Sequence, residues 1–170
     1  MNFFPCLLLF CGLEFGGYLG ELTPFGSLAN NHAPSPYISL YLSYPKPPSL
    51  EISFSFSRIS GKFSSSYFLK EKGGRLLLFL PVFYRREMRD VGLIPGAGIL
   101  LLERRLSFSK ESRYYPDFYL GVGYREKMGK MRFRINLLPN LILETGKKNN
   151  RTLTNLYLFF KAELGVGYEI

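Results

Sequence analysis

Residues able to do chemistry are few in this chain. His32 is the single histidine, and it lies among Asn30, Asn31 and Pro34. Nucleophilic catalysis needs a nucleophile, a base and an orienting acid within reach of one another. No Ser or carboxylate is tied to His32 by a recognisable motif, so it reads as a surface-loop histidine and the chain as no enzyme. The two cysteines, Cys6 and Cys11, sit in the first dozen residues. A lone His and two N-terminal Cys do not make a ligand set, so no metal is expected. Gly96-Ala97-Gly98 and Gly121-Val122-Gly123 lack the rest of a dinucleotide fingerprint, and no cofactor is expected either. The remaining chemistry is ionic. Glu14, Glu51, Asp117, Glu163 and Glu169 oppose Arg125, Arg132, Arg134 and Lys161 in sign. Each alternates with apolar neighbours, which makes these nine candidates for ion pairs on one face of a sheet.

The elements that would position them are strands. From Leu156 to Ile170 every second residue is apolar, with Tyr157, Phe159, Lys161, Glu163, Gly165, Gly167 and Glu169 between. A period of two means one apolar face and one mixed face. Leu50, Ile52, Phe54 and Phe56 likewise alternate with Glu51, Ser53, Ser55 and Ser57. Similar alternation runs over Leu13–Gly20, Pro36–Tyr44, Asp117–Arg125 and Met131–Glu144. The fourth and fifth segments, about Arg75–Arg86 and Leu93–Arg104, are apolar on both faces in the middle. The fourth therefore has no readable register, while Gly96 and Gly98 suggest that the even positions of the fifth face inward. Eight strands follow. Long connections are expected at about Thr23–Pro34, Ser60–Gly74, Ser107–Tyr115 and Thr145–Leu153, alternating with shorter ones. The repeat of Leu120-Gly121-Val122-Gly123-Tyr124 as Leu164-Gly165-Val166-Gly167-Tyr168 suggests two strands in one kind of environment.

A terminal strand of this kind is a vulnerable edge unless the sheet closes, and in lipid closure is the only solution open to a sheet. A chain of 170 residues suits one barrel of about eight strands. The 16 Phe, 12 Tyr and 17 Gly fit strands better than a helical bundle. A net charge of +9 invites nucleic acid as a partner, but the cations are dispersed over strand ends and connections. Dispersal argues against nucleic acid and for anionic lipid headgroups. No run is long enough for a membrane helix. Residues 1–11 resemble the apolar core of a secretory signal peptide without its basic start, which leaves 12–170 as the barrel domain.

Periodicity alone does not say which face is inside. A soluble lipocalin-like barrel would bury the apolar face and carry a lipid. Here the other face is mostly Ser and Gly with charges of both signs, which suits a narrow interior crossed by ion pairs. The apolar face is almost free of charge, as hydrocarbon demands. Tyr44, Tyr124 and Tyr168 fall near strand ends, where an interfacial girdle belongs. The expected fold is all-β: a closed, antiparallel, up-and-down transmembrane barrel of eight strands.

From Gly12 to Ile170 the chain resembles the small eight-stranded outer-membrane barrels, the group of outer-membrane protein X and the membrane domain of outer-membrane protein A. The resemblance rests on Glu14-Phe15-Gly16-Gly17-Tyr18, on Gly121-Val122-Gly123-Tyr124 and on the last strand. It implies a Gram-negative outer-membrane location, with lipid and lipopolysaccharide around the barrel. It also implies that Leu164, Val166, Tyr168 and Ile170 form an insertion signal for the barrel assembly machinery, with Ile170 departing from the family's aromatic ending. A structural or adhesive role through the outer loops follows, with Lys147, Lys148 and Arg151 as candidate contacts for lipopolysaccharide or a host ligand. In such a narrow barrel side chains plug the lumen. The alternatives are a lipid A-modifying enzyme, a narrow channel and the soluble carrier.

Overall fold

A computed structural model describes residues 12–26, 29–30, 32–46, 48–60, 68–85, 89–106, 109–148 and 151–170. For 59–60, 68–71, 83–85, 89, 102–106, 109–111, 144–148 and 151–155 it describes the backbone alone. The segment read as a leader, with Cys6 and Cys11, lies outside the described residues. Eight strands follow in chain order: β1 (Glu14–Pro24), β2 (Ser35–Tyr44), β3 (Ser49–Ser60), β4 (Phe68–Arg85), β5 (Arg89–Leu106), β6 (Ser109–Met128), β7 (Met131–Lys148) and β8 (Arg151–Glu169). Each is hydrogen-bonded to its sequence neighbours, and β1 returns to β8 to close the barrel. The closing seam is antiparallel and runs from Glu14 opposite Glu169 to Pro24 opposite Phe159.

The start of β1 and the end of β8 share one end with the connections after β2, β4 and β6, here called the inner end. The β6–β7 turn is two residues long, with Met128 opposite Met131. Gly129 takes a φ of 64° there, which a glycine adopts without steric cost and which matches hairpin twist. At the other, outer end the barrel is uneven. Strands β1 to β3 hold 11, 10 and 12 residues, whereas β4 to β8 hold 18 to 20. β4 starts level with the end of β3, Phe68 opposite Ser60, and carries its extra residues toward the inner end. β8 runs from Arg151 to Leu158 before Phe159 meets Pro24 of β1, so at roughly 3.3 Å per residue it rises well past β1 at the outer end.

The apolar face is the outside. In β2, Tyr37, Ser39, Tyr41 and Ser43 are buried while Ile38, Leu40, Leu42 and Tyr44 are exposed. In β3 the Ser-rich row turns inward with Glu51. Leu19, Phe54, Leu120 and Leu164 are 65–69 % exposed around the circumference. The soluble carrier reading fails on this geometry, since it requires those side chains in the core. The register of β4, unreadable from sequence, places Arg75, Leu77 and Phe79 inside. Both of its faces are greasy because the inner Leu77 and Phe79 join an apolar cluster with Ile94, Tyr119 and Leu138. Pairing with β5 shifts register between Pro81 and Phe83, where proline cannot donate to the ladder.

Several expected loops are strand. Ladder pairing continues through Phe68–Gly74, Ser109–Tyr115, Thr145–Lys148 and Arg151–Leu153. The connections after β5 and β7 shrink to residues 107–108 and 149–150. These stretches carry no strict apolar alternation, and their strand character rests on the ladder hydrogen bonds rather than on the residue pattern. His32 is also corrected. It is buried, at 4 % exposure, and its backbone forms a bridge, so the connection folds back on the protein where its polar, turn-forming residues suggest an exposed loop.

The repeated Gly-x-Gly has a packing cause. A Cβ at Gly165 would collide with the Tyr18 ring, and one at Gly123 with the Ile94 side chain and Asn136. Gly165→Val is expected to lower barrel stability by about 1–3 kcal/mol through overpacking. Urea unfolding in detergent micelles, read by loss of strand circular dichroism, measures it; an unchanged midpoint contradicts the packing.

Candidate functional site

The interior is where the charged residues converge. Glu14, Glu51, Asp117, Arg125, Arg134, Lys161 and Glu163 are all buried. Arg132 and Glu169 are half-buried at the inner mouth. Period-two geometry puts them there: each occupies the inward row of its strand, opposite the outward Leu, Ile and Phe.

Arg134 on β7 sits at the centre of the inner half. Its two terminal nitrogens reach Glu51 Oε2 at 2.5 Å and Glu14 Oε2 at 2.6 Å. It also donates to the Ser43 hydroxyl at 2.7 Å. The Tyr18 hydroxyl donates to Glu51 at 2.7 Å and the Tyr41 hydroxyl to Glu14 at 2.6 Å. The two tyrosine rings lean together with centroids 4.6 Å apart, and the Arg134 guanidinium lies 4.4 Å from the Tyr41 ring. Three strands thus converge on a cation carried by a fourth. Arg132 joins Glu14 at 3.0 Å to Glu169 at 3.4 Å, and Lys127 pairs with Glu169 at 2.6 Å. Glu14 and Glu169 are direct cross-strand partners on the closing seam. Arg132 therefore sits between two carboxylates that would otherwise repel. Arg125 donates to the Ser49 hydroxyl and stacks 3.9 Å from the Phe79 ring centre.

A second group lies nearer the outer end. Arg75 grips Glu163 with both terminal nitrogens, at 2.5 and 3.0 Å, and donates to the Ser53 hydroxyl at 2.7 Å. The Asn136 amide adds a bond to Glu163 at 3.1 Å. Lys161 donates to the Tyr119 hydroxyl at 3.3 Å, which in turn donates to Asp117. Beyond this group Leu22, Tyr37, Leu100, Ile142 and Phe159 pack across the bore. Sequence reasoning missed Arg75, because β4 offered no register. It also missed Tyr18 and Tyr41, which look like ordinary strand aromatics. Their one legible signal was placement on the same alternate row as Glu14 and Ser43.

Outside, Leu164, Val166, Tyr168 and Ile170 are all exposed. Lys46 lies 6.0 Å from the Tyr44 ring and Lys130 lies 5.6 Å from the Tyr168 ring, both at the inner end. Lys147, Lys148 and Arg151 belong to strand rather than loop, with Lys148 opposite Arg151; their side chains lie outside the described residues. Among the described residues no cluster of three His, Cys, Asp or Glu could hold a metal ion.

A buried ion pair that loses one partner leaves an uncompensated charge, at a cost of about 3–5 kcal/mol. Arg134→Met is therefore expected to destabilise by that amount, and Arg132→Ala, at the wetter mouth, by less. Adding Glu14→Gln and Glu51→Gln to Arg134→Met should recover part of the loss in the same urea titration. No recovery would show that Arg134 acts by packing alone.

No family model and no curated protein matches the chain. Solved structures do. Neisserial surface protein A superposes with a TM-score of 0.71 over 94 % of this chain and 97 % of its own, at 13 % identity. The attachment invasion locus protein Ail of Yersinia pestis gives 0.49 over 92 % and 95 %, at 18 % identity. The N-terminal barrel domain of Pseudomonas aeruginosa OprF gives 0.45 over 91 % and 96 %, at 11 % identity. With its closed eight-strand order, outward apolar face and ion-paired interior, the chain has the fold of the small eight-stranded outer-membrane β-barrels.

Proposed function

We propose that this protein is an integral outer-membrane barrel, not an enzyme, whose lumen is plugged by its own side chains and whose outer end meets surface ligands. One observation carries the membrane reading. Glu21, Arg58 and Lys72 mark the outer end, and Lys46, Glu126 and Lys130 the inner end. Every described outward side chain between them is uncharged. Water gives no reason to exclude charge from a whole circumference, whereas hydrocarbon penalises each charge by about 2–4 kcal/mol at mid-depth. The tyrosines and lysines at the inner end suit a headgroup layer.

The plugged lumen is supported by the Arg134 and Arg75 groups and by the apolar layer outside them. Open aqueous channels belong to much wider barrels. Residues 1–11 would serve as the secretory leader. Leu164, Val166, Tyr168 and Ile170 would be read by the barrel assembly machinery as an outward apolar row ending the chain. Strand extensions ending at Lys148 and Arg151 would bring Lys147, Lys148 and Arg151 to lipopolysaccharide phosphates or an acidic host polymer.

The first test is gel mobility of the outer-membrane fraction, boiled against unboiled. A shift on boiling is expected; a soluble protein without one overturns the membrane reading. Leu120→Arg should destabilise the reconstituted barrel by about 2–4 kcal/mol. Planar bilayers should show no large steady conductance for the native chain, and such conductance would rule out the plug. Reversing Lys147, Lys148 and Arg151 to Glu should weaken binding to lipopolysaccharide; unaltered binding would reduce these cations to solubilising charge.

A further inference from the structure

The apolar belt is not smooth. Across β3 to β6, toward the outer end, lies a groove of about 480 Å³. Its floor is Gly74, on the outward row of β4. Phe54 and Phe56 wall it on one side, Ile99 and Tyr114 on the other, and Lys72 stands at its outer lip. Phe54, Ile99 and Tyr114 are among the most exposed apolar side chains of the barrel.

The floor is a choice of residue type rather than a packing necessity. A Cβ at Gly74 would meet the Phe54 ring at 3.5 Å, an ordinary contact, and nothing closer. The inward Gly16, Gly165 and Gly167 differ: there a Cβ would collide with Tyr41 or Tyr18. Those glycines are required by the lumen. Gly74 only keeps the outer wall hollow.

A hollow in a surface bathed by hydrocarbon is filled or it forfeits dispersion contacts along its walls. A groove walled by aromatic and branched side chains, and closed below by backbone, matches a single extended chain of methylenes. Its outer end is cationic. Lys72 pairs with Phe56 across β3 and β4, and Arg58 is the next outward residue beyond Phe56. Both are exposed. A hydrocarbon tail in the groove thus places its headgroup beside an ammonium and a guanidinium, which favour phosphate.

We infer that the β3–β6 groove is a fixed binding site for one acyl chain of a phosphate-bearing membrane lipid, with Lys72 and Arg58 selecting the anionic headgroup. The inference rests on the membrane reading above and adds a lipid held at one place on the wall.

The chain contains no Trp, so a single introduced Trp is a clean reporter. Tyr114→Trp places it in the groove wall, and Leu19→Trp places one on β1, outside the groove. Each full-length variant is refolded into phosphatidylcholine vesicles holding a few mole per cent of phosphatidylglycerol brominated on its acyl chains. Tyr114→Trp should be quenched severalfold more than Leu19→Trp, and more by brominated phosphatidylglycerol than by brominated phosphatidylcholine. Gly74→Leu, which fills the floor, should remove the excess in the Tyr114→Trp background. Lys72→Gln with Arg58→Gln should remove the preference for the anionic lipid while some excess quenching stays. Equal quenching at the two sites, in barrels that still shift on boiling, overturns the lipid site and leaves the membrane reading intact. A chain that neither inserts nor shifts on boiling fails at the earlier step.

Discussion

Eleven residue pairs join β1 to β8, and the inside and outside of the molecule exist only because they do. Without that seam the sheet would present two rows of unpaired N–H and C=O groups. With it, every strand has two neighbours, and the pleat sorts side chains into an inner and an outer set with no third option. A narrow closed sheet leaves little room within, so the inner set mixes Ser and Gly with large polar groups and two apolar clusters fitted against one another. The outer set is free of that steric limit and is selected for solvent alone.

The ionic interior follows from the same constraint. A guanidinium in a tight bore cannot reach bulk water and must find its partners on facing strands. Arg134 takes them from β1, β2 and β3, and Arg75 takes them from β3 and β8. Such bonds tie together strands far apart in sequence, with separations of 120 residues for Arg134 to Glu14 and 88 for Arg75 to Glu163. These pairs set the relative heights of strands that share no ladder. Hydrogen-bonded ladders fix only adjacent registers, so the cross-bore pairs constrain what the ladders leave free.

Legibility in the sequence tracked burial. Where a strand has an apolar outer face and a polar lumen face, as in β3 and β8, alternation reveals both faces. The inward placement of Glu51, Lys161 and Glu163 was readable for that reason. Where the lumen is itself apolar, as at Leu77 and Phe79, the two faces look alike, and Arg75 was lost with the register of β4. Where ladder hydrogen bonds hold a strand whose residues do not alternate, as in Phe68–Gly74 and Ser109–Tyr115, the segment reads as loop. His32 was misplaced because local composition marks a connection as exposed, while burial is set by how that connection folds on the barrel and not by the types of its neighbours in sequence.

The paired lysines and tyrosines of the inner end have a mechanical meaning. Lys46 beside Tyr44 and Lys130 beside Tyr168 sit on the turns that close the barrel below. In the proposed membrane setting, sliding the molecule outward by one residue row would drag those ammonium groups toward hydrocarbon, and sliding it inward would do the same to Glu21, Arg58 and Lys72. In that setting the barrel would float at one draught, like a hull ballasted at the keel. The outer extensions of the later strands, Arg151–Leu158 of β8 above the end of β1 among them, then stand as a one-sided parapet whose height is set by strand length.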